Sequence, residues 1–238
     1  MEGIPLLVLR IEGPMQSWGL RARWDIRDTG TEPSKSGIVG LLGCALGYYR
    51  NDHRLETELD TRLKIGVRED RRGKIFVDYH TINPNPVFTT ADGKKHAPGG
   101  DNNAYANTIQ SYRYYIEDAA FLVVISGPIE LLERCRDALM TPAWPIYLGR
   151  KSCVPTRPVF DTLTSEYVSI DDALHRYPGS ELSVTSPGGS CVIEDAAGNA
   201  IRPDATVVRP VHERATRRVR TFPVIIPPPS GSFAVPSR

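Results

Sequence analysis

Three stretches carry residues whose type and spacing could do chemistry, and in each the chemistry is that of holding an anion or a flat ring. The first runs from Pro33 to Tyr49, PSKSGIVGLLGCALGYY. Ile38, Leu41, Leu42, Ala45 and Leu46 recur at three- and four-residue spacing, the period of a helix packed on one side. Gly37, Gly40, Gly43 and Gly47 fall within one face of roughly 120° at 100° per residue. Each glycine costs about 1 kcal/mol against alanine in a helix. Such a face is useful where another backbone, a sheet or a ligand comes very close. At the helix start Ser34 or Ser36 can cap, Lys35 adds positive charge, and the first free N–H groups make an anion site. Tight helix–sheet packing and a phosphate cradle at Lys35, Ser36 and Gly37 are both open. The nucleotide loop GxxxxGK[ST] is absent, which disfavours ATP or GTP. The second stretch is PAWPIYLGRKSCVP. Gly149 lies between Tyr147 and the pair Arg150-Lys151, with Ser152 beyond. Such a turn can hold a phosphate through backbone N–H groups and charge, or it is an ordinary exposed turn. The third is EGPMQSWGLRARWD. Trp18 and Trp24 stand near Arg21 and Arg23, a pairing suited to base stacking and phosphate contact. The alternative is that the rings anchor a loop on the core.

Acid–base chemistry has thinner support. A metal-independent ribonuclease needs a base for the 2′-hydroxyl and an acid for the leaving oxygen. His80, Tyr48, Tyr79 and Lys35 are the available groups, and nothing in their spacing joins them. HExxH, GxSxG and GxGxxG are absent. Asp171-Asp172 opens a predicted helix, where capping explains it. The four cysteines, at 44, 135, 153 and 191, form no CxxC pair, so neither zinc nor a disulfide framework is expected. No cofactor is expected.

The elements that must position these groups follow from the rest of the chain. Its 238 residues allow one or two domains, and 40% hydrophobic with 24% charged residues describes an ordinary soluble protein. The net charge of +1 leaves no global field for polyanions, so any nucleic-acid contact must come from local patches. The apolar run Ile4–Leu9 is short and meets Arg10, and no run approaches 18 apolar residues, so a cytoplasmic protein without membrane contact is expected. IPLLVLRI reads as a buried strand. Leu55, Leu59 and Leu63 suggest a short helix. KIGVRED and KIFVDYH read as a hairpin around Arg71-Arg72-Gly73. Thr81 to Gln110 is rich in Asn, Pro and Gly and reads as a protrusion, with VFTT starting a small hairpin inside it. SYRYYIEDAAFLVVIS returns to strand, with a bulge expected at Glu117-Asp118. PIELLERCRDALM follows as a helix. SIDDALHRY reads as a short capped helix. ELSVT and SCVIE read as a hairpin about SPGG. Arg214, Arg217, Arg218 and Arg220 form a basic run near the end. The order fits an α+β chain with a ferredoxin-like βαββαβ core, a long protruding hairpin insertion and a smaller β-rich C-terminal region. The expected division is 1–160 for the core, with the insertion at 81–110, then 161–226, then a flexible tail at 227–238.

Five segments then match one family in order and position: GPMQSWG (13–19), PSKSGIVGLLGCALG (33–47), DYHT (78–81), SYRYYIEDAAFLV (111–123) and PIYLGRKSC (145–153). The chain resembles the CasD family, the RAMP-superfamily subunit of the type I-E CRISPR surveillance complex Cascade. The resemblance covers residues 4–160 well and the rest loosely. It implies a non-catalytic RNA-binding subunit that holds the 5′ handle of the crRNA in antiviral defence. It also implies contact with the backbone and large subunits and, indirectly, with target DNA. The insertion would be the thumb that meets a neighbouring subunit. Carried onto this sequence, the resemblance assigns RNA contact to Gln16, Trp18, Lys35, Ser36, Gly37, Arg113, Tyr147, Leu148, Gly149, Arg150 and Lys151. Arg23 joins them from its place beside the tryptophans. Relatives in another subtype cleave RNA, so a metal-independent endoribonuclease processing CRISPR repeat RNA is the alternative.

Overall fold

The computed structural model describes residues 2–20, 25–82, 88–89, 95–96, 109–181, 188–205 and 215–229. The first strand, β1 (Leu6–Glu12), reads LLVLRIE and is buried along its whole length. A strand with no exposed face needs cover on both sides. Two short strands follow, β2 (Met15–Gln16) and β3 (Ile26–Arg27). Helix α1 (Lys35–Ala45) starts at Ser34, whose hydroxyl accepts the Gly37 N–H at 3.2 Å. It ends in a Schellman turn: Gly47, at φ +75°, donates to the Cys44 carbonyl and Tyr48 donates to that of Gly43. Leu55 and Leu59 lie on a π-helical turn, Leu55–Asp60, and are buried.

Next come β4 (Lys64–Arg71), β5 (Lys74–Ile82), β6 (Phe88–Thr89), β7 (Lys95–His96), β8 (Ile109–Glu117) and β9 (Ala120–Ser126). Helix α2 (Ile129–Met140), β10 (Phe160–Thr164) and helix α3 (Ile170–Arg176) follow. The last strands are β11 (Gly188–Glu194), β12 (Ala200–Ala205) and β13 (Ala215–Ile225).

One antiparallel sheet has the order β10-β1-β9-β4-β11-β13-β12. Its central strands bury both faces. Leu7, Leu9 and Ile11 meet Ile38 and Leu42 of α1 and Leu131, Leu132 and Cys135 of α2 on one side. Leu6, Val8, Leu122 and Val124 meet Ile170, Ala173 and Leu174 of α3 on the other. Each such side chain contributes about 1.5–3 kcal/mol on burial. The sheet continues through β4 into β11, so the strands of the C-terminal region extend it instead of folding apart. A second sheet forms on β8, with β5 on one edge and β2 and β3 sharing the other.

The hairpin expected between β4 and β5 does not form. β4 is largely buried and pairs with β9 and β11, whereas β5 alternates between faces and pairs with β8 from Lys74↔Glu117 to Ile82↔Ile109. The expected bulge at Glu117-Asp118 is a break that sends β8 and β9 into different sheets. Asp118 adopts φ +53° there. The small hairpin starting at VFTT appears as β6 paired with β7. Most of the 81–110 insertion, residues 182–187 of the expected ELSVT–SCVIE hairpin and residues 230–238 of the expected 227–238 tail lie outside the described residues, while Gly188 and Gly189 of SPGG already belong to β11.

A buried ionic cluster locks α3 onto the sheet. Arg68, fully buried, gives Nη1 to the carbonyls of Leu174 and Tyr177 at 2.7 and 2.8 Å, satisfying the helix end. Its Nε pairs with Asp70, which also accepts from Arg10 at 3.1 Å and from the Ser180 N–H at 3.0 Å. Removing one partner of such a cluster costs about 3–5 kcal/mol.

Candidate nucleic-acid interface

The Gly149 turn is built against the GPMQSWG segment. Gly149 sits at φ +89°, and a Cβ there would lie 1.8 Å from the Ser17 carbonyl oxygen. No other residue fits. Ser17 N–H donates to the Leu148 carbonyl at 3.1 Å, and Leu148 N–H donates to Cys153 at 2.7 Å. The Leu148 and Cys153 side chains are buried, so the turn is rigidly seated. Burial also raises the Cys153 thiol pKa.

Arg150 is the bolt of this turn. Its Nη1 donates to the Tyr114 carbonyl at 3.2 Å and its Nη2 to that of Arg27 at 2.7 Å. The guanidinium lies 4.7 Å from the Tyr115 ring centroid. Its hydrogen bonds to described residues go to neutral carbonyls, and none of these neutralises its positive charge. Lys151 and Ser152 beside it are exposed, and Tyr147 is half-buried. The β8 face below carries Arg113, with Arg27 in register on β3 and Asp78 in register on β5. Arg113 Nε donates to Ser111 at 3.3 Å, and Asp78 is paired with His80. Exposed Arg27 and Arg113 share one face of this sheet, Arg150 lies over Tyr115 of the same strand, and exposed Lys151 follows it in the turn, which together make a candidate basic track.

The start of α1 is different. Lys35 is 4% exposed, and its ammonium lies 2.9 Å from Glu194 and 3.9 Å from Asp60. Its backbone N–H donates to Asp204 at 2.9 Å. Asp204 is in turn gripped by Arg217 through Nε at 2.8 Å and Nη2 at 2.9 Å. The anion site expected at Lys35-Ser36-Gly37 therefore exists and holds a carboxylate of the chain itself.

Several expected contacts lie inside the protein. Gln16 is fully buried; its amide donates to Ala119 at 2.9 Å and its oxygen accepts the Trp18 indole N–H at 3.0 Å. Trp18 is 1% exposed, with no ring face left for a base. Its ring fills the space beside Gly37, where a Cβ would stand 2.7 Å from it. Leu148 is likewise fully enclosed. These three, with Lys35, position the surface and do not form it. The glycine face of α1 does not lie on the sheet: Gly37 meets Trp18, Gly43 meets Leu55, and Gly40 faces solvent. Arg23 and Trp24 lie outside the described residues.

The acid–base candidates have separate partners. The Tyr48 hydroxyl donates to Glu58 at 2.8 Å and accepts from Arg134 at 2.6 Å. Burial, then the Glu58 bond, push its pKa up. His80 pairs with Asp78 on the second sheet, and Lys35 is buried as described. Among the described residues no cluster of His, Cys, Asp or Glu could hold a metal.

Sequence reasoning missed Arg27, the Tyr115 platform, and Asp204 with Arg217. Arg27 was visible in the run that starts at Arg21, but only strand pairing puts it beside Arg113. Nothing local to Asp204 reveals a partner 169 residues away.

Residues 6–225 match the family model described as CRISPR-associated protein (Cas_Cas5). The CRISPR system Cascade subunit CasD of Escherichia coli (strain K12) is 33% identical over 165 residues, 65% of this chain and 69% of that protein. A solved structure described as a Cas protein aligns with TM-score 0.67 at 32% identity, covering 94% of this chain and 98% of the other. A chain of a CRISPR RNA-guided surveillance complex aligns with TM-score 0.67 at 29% identity, covering 93% and 91%. A match over residues 6–225 spans nearly the whole chain, and the chain belongs to the Cas5 family of CRISPR-associated proteins.

Proposed function

We propose that this chain is a non-catalytic RNA-binding subunit of a Cascade surveillance complex, holding the crRNA 5′ handle on the basic track from Lys151 to Arg27. The observation that carries the reading is the Gly149 turn. It is rigidly seated on Ser17, and beside it Arg150 gives its hydrogen bonds to described residues to neutral carbonyls while Lys151 stands exposed. Backbone and cationic groups of this kind position a phosphate chain without reading bases. Half-buried Tyr147 is the candidate for stacking a splayed base. The relatedness to CasD supports contact with backbone and large subunits, and through them with target DNA. The order β10-β1-β9-β4, with α1 and α2 on one face, supports a ferredoxin-like βαββαβ core to which β11–β13 add an extension. Among the described residues no helix is long and apolar enough to cross a membrane.

The endoribonuclease alternative loses support because Tyr48, His80 and Lys35 each have different partners. The test is titration of a fluorescent handle oligonucleotide with the purified chain, in EDTA. Saturable, salt-sensitive binding with intact RNA is expected. Site-specific cutting would favour the nuclease, and absence of binding would overturn the RNA-binding role.

A further inference from the structure

The sheet built on β8 has two unlike faces. Directly opposed residues of neighbouring strands share a face. The register pairs Val77 with Tyr114 and Tyr79 with Tyr112, and sets Ile26 of β3 beside Tyr112. The other face carries Arg27 and Arg113 of the candidate basic track. On this one Ile26, Ile75, Val77, Tyr79 and Tyr112 are each 44–52% exposed. No described strand position on it is charged. The Tyr79 and Tyr112 rings lie 5.2 Å apart and close the stripe at its outer end. Contiguous exposed apolar side chains of this kind mark an interaction surface.

At its inner end the face opens into a groove. Ile75 and its cross-strand partner Ile116 line a cavity of about 260 Å³ together with Glu69 and Arg72. Glu69 and Arg72 also line a neighbouring cavity of about 520 Å³ that reaches Glu32. Two carboxylates thus share the groove with one guanidinium. Glu32 is paired with Arg202 at 2.7 Å. Among the described residues no hydrogen bond or ion pair closes on the Glu69 carboxylate. Burial raises its pKa, Arg72 acts against the rise, and Glu32 adds to it. A half-buried carboxylate at the end of an apolar stripe suits a cation carried on a hydrocarbon stem, which is a lysine or arginine side chain. Nucleic acid would bring phosphates, for which the face has no cation and which Glu69 repels. A second copy would bring the same uncharged face.

We propose that this face docks a second protein, which lays an apolar segment along Ile26, Val77, Tyr79 and Tyr112 and passes one lysine or arginine beside Ile75 to Glu69. This rests on the reading of the chain as one subunit of an assembly. The surface lies outside the 81–110 insertion, to which the resemblance gives the contact with a neighbour. With RNA on one face and protein on the other, the β8 sheet is the wall between them.

The test uses the chain co-expressed with the other subunits of its surveillance complex, with the photocrosslinker p-benzoylphenylalanine in place of Val77. Light should link it to one protein subunit, at an apolar segment that mass spectrometry places next to a lysine or arginine. A link to RNA, to another copy of this chain or to a segment without a basic residue overturns the proposal, as does the absence of any link. Glu69→Lys should lower incorporation into the complex roughly tenfold. Reversing the partner's cation to glutamate should then restore it, and failure to restore it overturns the proposal. If E69K does not fold, Glu69→Gln serves: it should lower incorporation several-fold, and unchanged incorporation overturns the proposal. Handle binding by the free E69Q chain should match that of the native chain, and a defect there overturns the division between the two faces. Handle binding without the protein link removes only this inference. A native chain that joins no complex removes the subunit reading itself.

Discussion

Two regions of this chain use nearly the same short vocabulary. Lys35-Ser36-Gly37 and Gly149-Arg150-Lys151-Ser152 each combine glycine, cations and a hydroxyl. The first is closed: its ammonium faces Glu194 and Asp60, and its helix N-terminus holds Asp204. The second is open: its arginine is spent on carbonyls and its lysine is exposed. Local composition makes an anion site, but carboxylates arriving from β11 and β12 decide whether it is vacant. Arginine held by carbonyls keeps its charge for a ligand, whereas lysine held by carboxylates does not.

The largest expected effect comes from the open site. Gly149→Ala adds a Cβ at 1.8 Å from backbone and at positive φ, where no rotamer relieves the clash. A loss of about 3–4 kcal/mol in urea unfolding is expected, with handle binding lost alongside. The closed site gives a graded pair on one helix. Gly37→Ala pushes on the buried Trp18 ring and the Ser34 cap and should cost about 1–3 kcal/mol. Gly40→Ala meets nothing within 4 Å and should stabilise by about 0.5–1 kcal/mol. Equal effects at 37 and 40 would break the packing account of α1.

A third cation sharpens the contrast. Arg134 spends its charge on a carboxylate, and its bond, followed by that of the Tyr48 hydroxyl, holds Glu58 below the ordinary value of 4.5. A depressed carboxylate contributes its full stability above the unfolded value and loses it as pH falls through the lower folded one. Arg134 is half exposed, so Arg134→Ala should cost only about 0.5 kcal/mol at neutral pH, fading below pH 4.5. Arg150→Ala, which breaks bonds to carbonyls, should cost the same at both pH values. Parallel pH profiles for the two variants would contradict this division of roles.

Much of the fold was legible, for identifiable reasons. LLVLRIE, PIELLERCRDALM and SIDDALHR announce themselves because burial period and capping are local properties. The β4–β5 hairpin was misread because a Gly-containing turn between two strands says nothing about which sheet each strand joins. At the candidate site the glycine-centred turn and its adjacent cations were legible at Gly149, because they share one loop, whereas its positive φ and its seat on Ser17 were not. It was not legible at Trp18, whose ring is consumed by Gln16 and Gly37, nor at Lys35, whose neighbours come from residues 60, 194 and 204.

The central claim is that the open turn, not Lys35 at the start of α1, presents its lysine to RNA. Lysine acetylation footprinting, read by mass spectrometry with and without the handle oligonucleotide, compares the two lysines in one experiment. Lys151 should be reactive in the free chain and protected several-fold by RNA, while Lys35 stays unreactive throughout. Equal reactivity of Lys151 in both states, or a reactive Lys35 in the free chain that RNA protects, would contradict the account.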